Sequence, residues 1–120
     1  MSISNYGELA LLNAVRGVSF AAAGSYLKLH TGDAGEDGTS NPAANTSRQA
    51  VTFAAAASGS MASSNTPTWT NISNTETYSH WSLWDASTAG NCLWTGAFTT
   101  SASVVAGDTF QITSLTLTLD

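Results

Sequence analysis

Large apolar residues crowd into one short part of this chain. Tyr78-Ser79-His80-Trp81-Ser82-Leu83-Trp84 and Cys92-Leu93-Trp94 bracket the turn-rich segment Asp85–Asn91, and two aromatic runs around a turn predict a β-hairpin. Most other stretches are Ala, Ser and Thr, so this hairpin is expected to organise the core. Upstream, Tyr26, Lys28 and His30 alternate with Leu27 and Leu29, the pattern of a strand with one buried face. Val51, Phe53 and Ala55 alternate over Arg48–Ala55 and predict a second strand. The run that follows dissolves into Ser, Gly and Asn as far as Pro67. Thr68–Ser73 is a weaker strand signal.

Near the C-terminal end, Phe110 and Ile112 share one parity and Leu115, Leu117 and Leu119 the other. A one-residue shift reverses every side chain, so Thr113-Ser114 must hold a bulge or separate two strands. Leu11, Leu12, Val15 and Val18 instead recur at helical spacing. Asn5 as cap, Glu8 at the capping-box position and Gly17 as stop predict a helix over about 5–16. Thr31–Ser47, with Gly32, Gly35, Gly38 and Pro42 among polar residues, reads as a long loop. Together these elements predict a mainly β chain: one antiparallel β-sandwich or jelly-roll-like domain over 1–120, with a short N-terminal helical arm. The expected core comprises Phe53, Trp81, Leu83, Trp84, Trp94, Phe110 and Leu117. Leu11, Leu12 and Val15 are left as candidate interface residues on the arm.

Composition sharpens this picture. The 120 residues include only three Lys/Arg and eight Asp/Glu, giving a net charge of −5, which argues against a nucleic-acid partner. Ser and Thr, 17 of each, supply the polarity that charges normally would, as suits broad β surface or an assembly interface. There is no apolar run of about 20 residues and no basic, apolar leader, so neither a membrane span nor a secretory signal is expected. The lone Cys92 permits no intrachain disulfide and reads as a core thiol.

Candidate chemistry is sparse. Asp33, Glu36 and Asp37 lie on a Gly-rich loop and could offer oxygen ligands to Ca²⁺, but their spacing is not that of an EF-hand. His30 and His80 could combine with Asp85 or Asp108, yet no nucleophile elbow, H-E-x-x-H or paired-carboxylate spacing accompanies them. No catalytic residue and no cofactor is assigned. The Trp cluster could stack sugars, although Trp81, Leu83 and Trp84 cannot share one face of a regular strand. Asn45-Thr46-Ser47 and Asn71-Ile72-Ser73 fit the glycosylation pattern by chance in so hydroxyl-rich a chain.

Leu27–Glu36, Ser47–Phe53, His80–Ala86, Gly90–Trp94, Ala106–Phe110 and Leu115–Asp120 follow one another along the chain. In this order they resemble segments of small structural proteins of tailed bacteriophages, commonly labelled tail fibre or minor tail proteins. Where that family often has Pro after Thr-Gly-Asp, this chain has Ala34. The resemblance implies a virion structural protein, assembled in the host cytoplasm, with other virion proteins as partners and no catalytic residues to carry over. Fibre shafts need repeats, heptads or an elongated β-helix, and none is visible. A compact homo-oligomeric head decoration or cement protein bound to the major capsid protein is therefore expected, with a tail fibre or tip protein touching host glycan as the alternative.

Overall fold

The computed structural model describes residues 1–119; Asp120, the last residue of the terminal Leu115–Asp120 segment, lies outside them. The elements are β1 (Ser2–Ile3), α1 (Asn5–Val15), β2 (Tyr26–His30), β3 (Gln49–Ala50), β4 (Ser60–Ala62), β5 (Thr68–Trp69), β6 (Glu76–Trp84), β7 (Cys92–Val104), β8 (Phe110–Gln111) and β9 (Thr116–Thr118). Strands β1-β7-β6-β2-β3 form a five-stranded antiparallel sheet, while β4-β9 and β5-β8 form two short antiparallel ribbons. The chain is thus mainly antiparallel β with one short N-terminal helix, as the apolar pattern predicts. Its second layer is a pair of ribbons rather than one continuous sheet.

The hairpin centres the molecule. Leu27 and Leu29 of β2 face Leu83 and Trp81 of β6 in register, and Trp94 of β7 faces Leu83 from the other side. Residues Leu27, Leu29, Trp81, Leu83 and Leu93 bury against Trp69, Ile112, Leu115 and Leu117 from the ribbon side. Tyr78 also belongs to this core, although its parity is opposite to that of Trp81 and Leu83. The register break between Tyr78 and His80 resolves this, because an irregularity in one strand turns the following side chains to the other face. Tyr78 then packs edge-on against Phe110, ring centroids 5.2 Å apart.

Three local expectations need correction and one is resolved. The residue capping α1 is Ser4, whose Oγ accepts from Gly7 N at 3.0 Å, and not Asn5. The predicted strand over Arg48–Ala55 shortens to Gln49–Ala50, because beyond Val51 the backbone bonds elsewhere: Thr52 N donates to Asn65 Oδ1 and Ala54 N to Ala62 O. The polar run after Ala57 contains a strand, β4, which pairs with β9. Finally, Phe110 and Leu117 stand on separate strands in separate ribbons, the second of the two outcomes that the parity change allowed.

The predicted core residues divide by position. Trp81, Leu83 and Leu117 are buried in the central cluster, and Phe53, Trp94 and Phe110 are partly buried against it. Trp84 is buried too, but on the back of the sheet. There residues 38–40 cover it, Gly38 against Trp84 and Cys92 and Ser40 O on His30 Nδ1, while residues 41–43 pair with the edge of β2 through Thr31 N to Asn41 O and Ala43 N to Leu29 O at 3.0 and 3.1 Å. Both faces of the sheet are therefore covered where β2, β6 and the start of β7 meet, and the outer half of the β6–β7 ribbon is exposed.

Candidate functional site

The back of the sheet holds the molecule's most connected polar groups. His30 is fully buried, with Nδ1 2.8 Å from Ser40 O and Nε2 2.7 Å from Ser82 Oγ. A carbonyl only accepts, so Nδ1 carries the proton and Nε2 accepts from the Ser82 hydroxyl. That hydroxyl in turn accepts from Trp84 Nε1–H at 2.7 Å. The relay Trp84, Ser82, His30, Ser40 is complete only with a neutral imidazole, and burial holds the His30 pKa below its ordinary 6.5. This is the pattern of a structural histidine.

Trp84 is closed in from outside by Arg48, whose guanidinium lies 4.1 Å from the ring centroid and donates to Ala86 O and Ala89 O at 2.8 and 2.7 Å. One cation thus clamps the hairpin turn to the start of β3. The turn is further fixed by Asp85, which accepts from Asn91 N and Nδ2. Arg48 escaped the sequence reading because its partners are backbone carbonyls, which no side-chain pattern announces. Cys92 sits beside Trp84, its thiol pKa pushed up to about 11, chiefly by burial.

The residues proposed for chemistry do not converge. His80 Nδ1 meets Ser79 Oγ, Asp85 serves its turn, and Asp108 accepts from Val105 N. Asp33 accepts from Gly35 N, and Asp37 accepts from both Thr39 N and Thr39 Oγ1. Asp33 and Glu36 edge one depression beside His80, while Glu36 and Asp37 edge another beside Tyr6 and Trp84. Among the described residues no group of three or more His, Cys, Asp or Glu is placed to hold a metal ion; Asp33 and Asp37 shape the turns of this loop. The sugar-platform idea also changes, since Trp69, Trp81 and Trp84 are buried and have no open ring face to offer.

Among the described residues most of the exposed large apolar side chains lie on the N-terminal arm, with Met1, Val105 and Leu119 exposed elsewhere. Ser4 anchors α1 to β7: its N donates to Leu93 O at 3.1 Å and its hydroxyl to Cys92 O. Gly7 lets the helix approach closely, because a Cβ there would lie 2.7 Å from Leu93 O. Leu11 turns inward over an apolar cavity of about 150 Å³ lined also by Ile3, Met61, Trp94 and Leu117. Leu12 and Val15 point to solvent, 67% and 88% exposed, so of the three candidate interface residues Leu11 alone is turned toward the body of the molecule. The helix is therefore apolar on two sides. Leu9 (64% exposed) continues the Leu12 side, and Tyr6, Val18 and Phe20 are exposed on the opposite flank, where they border a depression with Ala10 and Asn13 and Tyr6 and Phe20 are in edge contact at 6.4 Å. No helix among the described residues is long and apolar enough to cross a membrane.

Converging buried chemistry is thus replaced by structural hydrogen bonding, and exposure is concentrated in a contact surface. No curated protein matches the chain. A family model described as podophage GP4 fiber I protein gp80 matches residues 2–120, which is nearly the whole sequence and agrees with the resemblance carried by its ordered segments. The chain belongs to this phage fibre protein family and is a structural component of the virion.

Proposed function

We propose that this protein is a fibre component of a short-tailed phage, mounted through contacts with other virion proteins, and not a decoration of the head shell. The observation that carries this reading is the fibre-family match over residues 2–120. Against it stood the lack of fibre-forming repeats, which had favoured the head. That argument loses force once the molecule is described: its extents of 47 × 25 × 23 Å make it about twice as long as wide, so copies set end to end would build length without an internal repeat. A compact chain contributes to a fibre through its surfaces, and weak single contacts are multiplied by symmetry.

Deletion of the gene tests the assignment. Particles assembled without the protein are expected to retain the heat resistance of the wild-type shell and to lose fibre density in virion reconstructions. Shells that rupture at lower temperature with all fibres still in place would restore the cement-protein reading, since a protein that binds the assembled shell stabilises it by mass action.

A further inference from the structure

We propose that the outward face of α1 pairs with the same face of a second copy of this chain, the two helices antiparallel about a two-fold axis at Leu12. This goes beyond the fibre assignment and stands wherever on the virion the protein is mounted. Two observations carry it. The first is area: Leu9, Leu12 and Val15 lie on one arc of about 120° of the helix and are all exposed. Together they present on the order of 400 Å² of apolar surface, within the roughly 300–600 Å² found for the largest patch of a monomer. With the flanking Glu8 and Arg16 this is the central part of the ~800 Å² that each partner gives a stable interface.

The second is charge complementarity. Glu8 lies one helical turn before Leu12 and Arg16 one turn after it, both on the outward side. Arg16 has only a long 3.4 Å contact to Asn13 Oδ1. Antiparallel pairing centred on Leu12 brings Glu8 opposite Arg16 of the second copy, Leu9 opposite its Val15, and Leu12 opposite its Leu12. Each interaction occurs twice, as a two-fold interface requires. In-register parallel packing would instead set Arg16 against Arg16 and Glu8 against Glu8. The Leu11 side, facing β7 and the cavity, stays within each copy.

Cross-linking of the full chain under mild oxidation tests the arrangement. Cys92 is buried and does not compete. Leu9→Cys protein mixed with Val15→Cys protein should yield disulfide-linked pairs, whereas either variant alone should yield few, because the same position on the two copies is then separated by several residues along the axis. Sedimentation velocity should show a dimer that Leu12→Asp weakens tenfold or more with unchanged far-UV circular dichroism. Glu8→Arg and Arg16→Glu should each weaken association, and the double variant should recover it. A monomer at high micromolar concentration, or strong cross-linking of Leu9→Cys alone, would overturn the proposal.

Discussion

At the scale of single residues, the back of the sheet sets the most specific expectations. His30 folds with its pKa lowered below 6.5, so the unfolded chain binds the proton more readily. The sign follows directly: stability is full above pH 6.5 and declines as pH falls below it, by at most one proton's linkage. Urea midpoints measured between pH 7.5 and 5 should fall, and His30→Asn should be less stable at pH 7.5 but lose most of that slope. Gly38 is a second such point, with φ +75° and a position where a Cβ would lie 2.6 Å from Cys92 Sγ and 3.0 Å from Trp84 Cζ2. Gly38→Ala should cost on the order of 2–4 kcal/mol, combining a left-handed backbone with overpacking, as equilibrium urea unfolding would show. The Cys92 thiol, raised to about 11, should resist a disulfide reagent at pH 8 in the native protein and react promptly in denaturant. Burial of Cys92 was legible from its neighbours Leu93 and Trp94, whereas what covers it, and the surroundings of His30 and Gly38, depend on segment 31–47 folding back and are not visible in sequence.

At the scale of elements, apolar density decided what could be read. The hairpin was legible because Trp81, Leu83, Trp84 and Trp94 crowd around one turn, and the parity change between Ile112 and Leu115 announced a bulge or separate strands, of which the structure has the second. By contrast, β4 has one large apolar residue, Met61, and its partner β9 lies more than fifty positions away; local pattern carries no trace of such a pairing. The C-terminal half of β7 was missed for a similar reason: after Trp94 it is mostly Thr, Ser, Ala and Gly. Its Gly96 stands opposite Trp81 in register, and the indole lies across it. Trp81→Ala is therefore expected to cost about 3–5 kcal/mol, measured by urea unfolding, and Gly96→Val to disrupt the core by displacing the same ring. Trp81, Leu83 and Trp84 all belong to the expected core although they cannot share one strand face; all three are buried, Trp84 on the opposite side of the sheet beneath Gly38.

At the scale of the whole molecule, the family match makes this chain a phage fibre protein and part of the virion. The sequence was sufficient for the virion family, through ordered segments spread along most of the chain, but not for its place on the particle, since the absence of repeats pointed to the head and the family match points to a fibre. The arm illustrates the same limit. Helical spacing located Leu11, Leu12 and Val15, yet only the packing of Gly7 against β7 determines that Leu11 turns inward while Leu12 and Val15 face out. Purified virions provide the most direct test of the fibre assignment, by quantitative mass spectrometry of copy number combined with immunogold labelling of this chain. The account predicts a copy number far below that of the major capsid protein, with gold confined to the fibres; labelling spread over the head at near-equal stoichiometry with the capsid protein would contradict it.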